Sequence, residues 1–283
     1  EITIYFIFIR EYIGYEMTQQ LINYVDAIYL HFGADEKIYG LDHPERISLL
    51  RKKAIESNLK LIECPIRHMG TEVGYSIYSK IQDHLHALGV NMLFRNPVTE
   101  LIIDNGKAIG VKADKEYFAD KIIISIGREG SEWFQKICIK YGIDTEVGSV
   151  DIGVRVETRN EIMSEINETL YEGKLIYYTP TFDDKVRTFC SNPGGVVATE
   201  YYDDNLAVVN GHSYKAKELK TDNTNFALLV SKNFTEPFKS PLEYGKYIAG
   251  LGNMLSGNKI IVQRYGDFKK GRRTNTDRLC RNN

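Results

Sequence analysis

Residues 98–127 read VTELIIDNGKAIGVKADKEYFADKIIISIG, and two kinds of strand signal follow one another in this single stretch. Val98–Asp104 (VTELIID) and Ala108–Ala113 (AIGVKA) are β-rich runs on either side of Asn105-Gly106. Asn-Gly between two such runs predicts a hairpin, because both turn positions of the favoured two-residue loop require positive φ. Lys121–Ile126 (KIIISI) is a continuous apolar run that breaks at Gly127, the pattern of a buried strand. Gly127–Gly130 then admits two readings. A glycine at the carboxyl edge of an open sheet lets the backbone approach a bound ligand, and the same glycines also suit a helix-capping loop that touches nothing.

Upstream, the pattern is helical. Met17–Phe32 spaces Leu21, Val25, Ile28 and Phe32 three or four apart and stops at Gly33. His43-Pro44-Glu45-Arg46 opens a second helix, with Pro44 in the first turn where a missing N–H is tolerated, and Asn58 ends it before a short strand at Lys60–Cys64. A third helix is predicted over Gly74–Leu88, followed by a strand at Val90–Phe94. Downstream, Ser131–Tyr141 is a helix capped by Gly142. The remainder is mostly short strands: Ser149–Glu157, Leu175–Phe182, Val186–Cys190, Val196–Tyr201, Leu206–Asn210 and Phe226–Phe234. Asp203-Asp204 falls at a hairpin tip and reads as a turn. A helix at Pro241–Leu255 and a strand at Lys259–Arg264 follow, and Ile4–Ile9 is β-rich at the start.

Composition excludes several classes. The 283 residues are 43% hydrophobic, enough for a sizeable core, so disorder is a poor reading. Basic and acidic side chains number 36 and 38, so there is no global positive potential to draw the chain onto nucleic acid. The longest apolar run, Ile4–Ile9, falls far short of the ~20 residues of a membrane span. Cys64, Cys138, Cys190 and Cys280 lack paired spacing, which argues against a disulfide scaffold and for a reducing, cytoplasmic setting. His84 and His86 point to different faces of their helix, and Cys64 and His68 lack a second ligand pair, so no metal site is expected.

The order of elements resembles two-domain flavoproteins, in which a three-stranded meander returns to a parallel strand ending in Ala-Thr-Gly beside FAD. That position here reads Ser125-Ile126-Gly127. The resemblance extends to a bacterial family of uncharacterised FAD-dependent dehydrogenase-like proteins, through five ordered stretches. They are Arg67-His68-Met69-Gly70-Thr71, Val150–Glu157 (VDIGVRVE), Arg187–Gly195 (RTFCSNPGG), Asn210-Gly211-His212-Ser213, and Gly266-Asp267-Phe268 leading to Gly271-Arg272-Arg273. The resemblance implies an α/β fold: an incomplete FAD/NAD(P)-binding, Rossmann-like domain plus a mainly antiparallel β substrate-binding domain. The boundaries it implies are a helical cap at 1–66, a partial FAD-binding domain at 67–148, a substrate-binding domain at 149–271, and a tail at 272–283. Cofactor contacts are expected at Arg67, Gly70, Thr71, Ser125, Gly127, Pro193, Gly194 and Gly195.

The departures shape the functional expectation. The chain holds no strand followed by GxGxxG, and Gly250-Leu251-Gly252 with Gly257 follows a helix and has the wrong spacing. Glu1 is not an initiating residue, and the family's closing Gly-Asp stretch does not precede Asn283, so the expectation is an interior fragment of a longer FAD-dependent oxidoreductase. Alone it is expected to bind FAD weakly or not at all. Asn192 replaces the second cysteine of the family's Cys-x-Cys-Pro-Gly-Gly loop, which removes a redox pair. Cys190 with His212 suggests a nucleophile and base, and Cys190 also suits simple packing. Arg67, Arg155, Arg187, Arg272 and Arg273 are candidates for holding an anionic small-molecule substrate or a cofactor phosphate. The alternative function is a non-catalytic binding or scaffold module on a degenerate flavoprotein fold. Catalytic residues, substrate and oligomeric state are not legible.

Overall fold

A computed structural model of the chain describes residues 10–280 apart from Arg128, Asp203, Asp204 and Glu236. The opening strand expected at Ile4–Ile9 and the turn residues Asp203-Asp204 lie outside the described residues. Along the chain come α1 (Tyr15–His31), α2 (Pro44–Glu56), β1 (Lys60–Ile62), α3 (Thr71–Ala87), β2 (Glu100–Asp104), β3 (Lys107–Lys112), β4 (Glu116–Phe118) and α4 (Ser131–Tyr141). They are followed by β5 (Val150–Arg159), α5 (Asn160–Leu170), β6 (Lys174–Tyr178), β7 (Lys185–Asn192), β8 (Val196–Tyr202), β9 (Leu206–His212), β10 (Asn223–Lys232), α6 (Pro241–Ser256), α7 (Tyr265–Lys269) and α8 (Thr276–Cys280). Residues 82–147 form one compact unit, and the described residues on either side form the other.

The smaller unit holds the stretch quoted first. β2, β3 and β4 make an antiparallel meander, with Asn105 and Gly106 at φ 49° and 76° in the turn. α4 docks on it through two aromatic donors, Trp133 Nε1–H to Thr99 O (2.8 Å) and Tyr141 O–H to Leu101 O (3.0 Å). One expectation is corrected here. Val90–Phe94 and Lys121–Ile126 join no sheet, and Ile123 is 91% exposed. Every ladder among the described residues is antiparallel, so the parallel, Rossmann-like layer is not formed. An apolar run marks a segment that gains from burial, but a strand exists only where a neighbour supplies its hydrogen bonds.

In the larger unit a five-stranded antiparallel sheet runs in the order β1-β6-β7-β10-β5. Register fixes its two faces. Phe226, Leu228 and Val230 of β10 lie opposite Val156, Val154 and Ile152 of β5, making an apolar face, and α5 packs on it. Asn225, Ala227 and Leu229 face the other way, with Arg155 opposite Ala227. α5 carries the ordinary amphipathic signal, with Met163, Ile166 and Leu170 three and four apart, in a region otherwise read as strands. Lys259–Arg264, expected as a strand, joins no sheet among the described residues.

Leu170 closes α5 into a core with Ile47 and Leu50 of α2, and Leu61 and Ile166 pack around them. The β8–β9 hairpin is fastened to α6 by one amide: Asn253 Oδ1 accepts from Ala207 N–H and its Nδ2 donates to Ala207 O, both at 2.8 Å. The side chain thereby imitates a neighbouring strand. The Gly-Asp-Phe stretch near the end is structural. Asp267, 1% exposed, accepts from Arg272 Nε (2.5 Å), Thr274 Oγ1 (3.1 Å) and Arg278 Nη1 (3.2 Å). The Arg272 bond, against the opposing cost of burial, holds this carboxyl down at about 2.

Leu170 is 2% exposed, and truncating such a residue costs transfer energy plus a cavity. Leu170→Ala is expected to lower unfolding stability by about 2–5 kcal/mol. Urea denaturation monitored by circular dichroism measures it, and a loss below about 1 kcal/mol would show that α2 and α5 do not share a core.

Candidate functional site

The polar face of the large sheet gathers three of the five stretches singled out in the sequence. Arg155 projects from the middle of β5, and its Nη1 donates to Asn225 Oδ1 (2.6 Å) and to Cys190 O (3.2 Å), while Nη2 reaches Asn210 Oδ1 at 3.5 Å. Asn192 Nδ2 donates to Cys190 O (2.8 Å) and lies 3.4 Å from Asn225 Oδ1. Asn225 is completely buried, and its Nδ2 has no hydrogen-bond partner. Asn210 in turn donates to Glu200 Oε1 at 2.6 Å.

β9 passes this cluster at Gly211. A Cβ there would collide with Asn225, Arg155 and Asn192, so the glycine of the Asn210-Gly211-His212-Ser213 stretch is demanded by side chains from β5, β7 and β10. The resulting electrostatics are unusual. Among the described residues no carboxylate lies within ion-pairing distance of Arg155, so a half-buried guanidinium meets only neutral oxygens. Buried charges are ordinarily paired, because desolvation otherwise goes uncompensated.

A second group adjoins it through Cys190 and Glu172. Tyr171 follows α5 at φ 62°, a conformation that strains a bulky side chain. Its hydroxyl donates to Ser213 Oγ (2.9 Å) and lies 2.8 Å from His68 Nε2, whose ring stacks on Tyr171 with centroids 4.2 Å apart. Burial, aided by the charges of Lys215 and Lys220, pushes His68 down to about 4, and burial pushes Tyr171 up. Both side chains are therefore neutral near pH 7. Thr71 N–H donates to Ser213 O (3.0 Å), and Glu72 Oε1 accepts from the backbones of Lys215 (2.7 Å) and Ala216 (2.9 Å), which ties the start of α3 to the end of β9. Cys190 donates its N–H to Glu172 Oε1 (3.0 Å), and its Sγ lies 3.6 Å from Asn192 Nδ2.

The expected cofactor contacts are distributed elsewhere. Arg67 grips both oxygens of Asp26 (2.8 Å each) and donates to Asp35 O (2.6 Å). Gly70 sits against Glu72 and Lys215, and Thr71 begins α3. Gly194 and Gly195, after Pro193, are buried by the chain itself. Gly194 N–H meets Asn160 Oδ1 (3.2 Å), Thr221 bonds both carbonyls, and a Cβ on Gly195 would strike His212 O. Ser125 and Gly127 lie in the smaller unit, and the space beside Gly127 is open. Of the remaining arginines, Arg187 pairs with Asp151 (2.7 Å), Arg272 with Asp267, and Arg273 is exposed. Among the described residues no group of three His, Cys, Asp or Glu side chains is placed to hold a metal.

FAD would need a diphosphate cradle and room for its ring. Arg67 is spent on Asp26, and the backbone groups of Gly194 and Gly195 are taken up internally, so the residues present do not by themselves fit the cofactor.

Comparison with known proteins gives this geometry a family context. Residues 149–282 match the family described as FAD-dependent protein, C-terminal domain-like. Arg155, Tyr171, Cys190, Asn192, Asn210, Ser213 and Asn225 all fall inside that matched region. An uncharacterized protein of Clostridium beijerinckii is 28% identical over 225 residues, 72% of this chain. The chain spans 41% of the length of that relative. Among the described residues no helix is long and apolar enough to cross a membrane.

Tyr171 and Asn225 are the site residues that sequence reasoning missed. Asn225 carried a usable signal, a polar side chain next to the apolar alternation of β10. Tyr171 carried none.

A histidine held at about 4 when folded and 6.5 when unfolded takes up its proton first in the unfolded chain. The stability from keeping His68 neutral is complete above pH 6.5 and is lost as pH falls towards 4, by up to about 3 kcal/mol. Urea unfolding across that window is expected to show a shallower acid-side decline in His68→Gln than in the parent, and equal declines would refute the assignment. Gly211→Ala is expected to lower stability by about 1–3 kcal/mol through overpacking against Arg155, and a neutral substitution would mean that β9 does not approach so closely.

Proposed function

We propose that this chain is the substrate-binding portion of an FAD-dependent, dehydrogenase-like oxidoreductase, and that Arg155 anchors an anionic small-molecule substrate. One observation carries the reading. A half-buried guanidinium without a carboxylate partner lies inside the region similar to FAD-dependent proteins. An anion at that charge gains a charge-assisted hydrogen bond and relieves an uncompensated desolvation cost. Arg67, Arg187 and Arg272 already have carboxylates, which leaves Arg155 as the candidate with site geometry around it.

In the longer protein a flavin would supply hydride or electron transfer. This chain's residues would bind and orient. Arg155 fixes the anionic group, Asn192 and Asn225 hold the guanidinium in place, and Tyr171 keeps a proton on its hydroxyl between His68 and Ser213. The grip on FAD belongs, in this proposal, to the longer protein, with Ser125 and Gly127 as the approach points on the smaller unit. The self-occupied turn at 193–195 favours one second reading, a binding module that uses the same anion site without a cofactor.

Two titrations of the 283-residue chain test the proposal. FAD is expected to give no stoichiometric quench of flavin fluorescence at micromolar protein, and a tight one-to-one quench would show that the cofactor site is complete here. Small carboxylates and inorganic phosphate are expected to raise the melting temperature where neutral amides do not. Arg155→Gln should abolish that rise, and Arg155→Lys, which keeps the charge but loses the planar fork, should retain part of it. A rise of equal size in Arg155→Gln would overturn the proposed anchor.

A further inference from the structure

The opposite, apolar face of the large sheet is incompletely covered by α5. Between helix and sheet lies a pocket of about 300 Å³ whose walls include Met163 and Ile166 of α5, Tyr177 of β6, and Phe226 and Leu228 of β10. Ser191 also lines it. That serine is buried at 7% exposure, and its hydroxyl has no hydrogen-bond partner. A buried hydroxyl without a partner carries a desolvation cost of about 1–3 kcal/mol.

Thr188 and Arg187, also on the wall, are committed. Thr188 Oγ1 accepts from Leu175 N–H (2.9 Å) and donates to Gly173 O (2.7 Å). The Arg187 guanidinium is paired with Asp151 and lies over the Phe189 ring at 4.9 Å. The pocket therefore offers apolar surface, one buried hydroxyl without a partner and no available charge.

We propose that this pocket binds a small uncharged aromatic molecule carrying one hydroxyl or carbonyl group, of which phenol is the simplest example. Size permits it, since a dry cavity of roughly 150 Å³ already accommodates benzene. The walls favour a ring over an aliphatic body. Phe226 and Tyr177 provide ring–ring contacts, and the thioether of Met163 provides a sulfur–aromatic contact. The ligand's polar atom completes the hydrogen bonding of Ser191. This site lies on the face of the sheet away from Arg155, so it stands independently of the flavoprotein reading.

The test uses the 283-residue chain with ¹³C-labelled methionine methyl groups, titrated separately with phenol, benzene and cyclohexanol. Phenol is expected to shift the Met163 signal saturably through its ring current, while Met17, Met69, Met92 and Met254 stay in place. Cyclohexanol should bind more weakly than phenol. Ser191→Ala, a small change that leaves the walls intact, should weaken phenol by about 2- to 10-fold, the worth of one hydrogen bond, and leave benzene unchanged. An unmoved Met163 signal, or equal movement of all five, would overturn the site. Cyclohexanol binding as tightly as phenol would overturn the aromatic class, and an unchanged phenol affinity in Ser191→Ala would overturn the role of the hydroxyl.

Discussion

A guanidinium placed among neutral oxygens constrains everything around it. Arg155 needs acceptors in the fork geometry of its N–H groups, and three separate strands deliver them: β10 with Asn225, the end of β7 with the Cys190 carbonyl, and β9 with Asn210. The register shift between β10 and β7 at Asn225/Ala227 falls at this point, with Asn192 brought opposite Asn225. Gly211 then lets β9 pass close enough for the hairpin to close the cluster. None of these residues stabilises the site alone, because removing one leaves the others buried with unmet hydrogen bonds.

The large sheet separates two kinds of chemistry by the alternation of its strands. One face presents amides and a charge, and the other presents branched and aromatic side chains under α5. An anionic group and an uncharged ring are thus offered different surfaces by the same five strands. α5 links them, since its last turn supplies Leu170 to the core and is followed at once by Tyr171, whose strained backbone aims its hydroxyl at His68 and Ser213.

Much of the secondary structure was legible in the sequence. The Asn105-Gly106 hairpin and the helices at α1, α2, α3 and α6 follow from turn chemistry and apolar spacing, both local properties. The strands expected but not formed have a common physical origin. Lys121–Ile126 and Val90–Phe94 have the composition of strands, yet pairing depends on a neighbour that composition does not report. The site was half legible. Arg155, Asn192, Asn210 and Gly211 lay within stretches already singled out, but which arginine lacked a carboxylate could be decided only once Asp26, Asp151 and Asp267 were seen beside the others. Tyr171 was hidden because its role comes from a backbone conformation at a helix end and from partners 103 and 42 residues away.

The most direct measurement is of the Arg155 guanidinium itself. In the chain labelled with ¹⁵N-arginine, the side-chain Nε and Nη resonances report hydrogen bonding at each arginine, and Arg155→Gln identifies the relevant signals. Titration with a small dicarboxylate at constant ionic strength is predicted to shift the Arg155 resonances saturably, while those of Arg67 and Arg187, already held by carboxylates, remain fixed. Arg155 resonances that stay unchanged, or that drift together with every other arginine, would contradict the assignment of this cluster as an anion site.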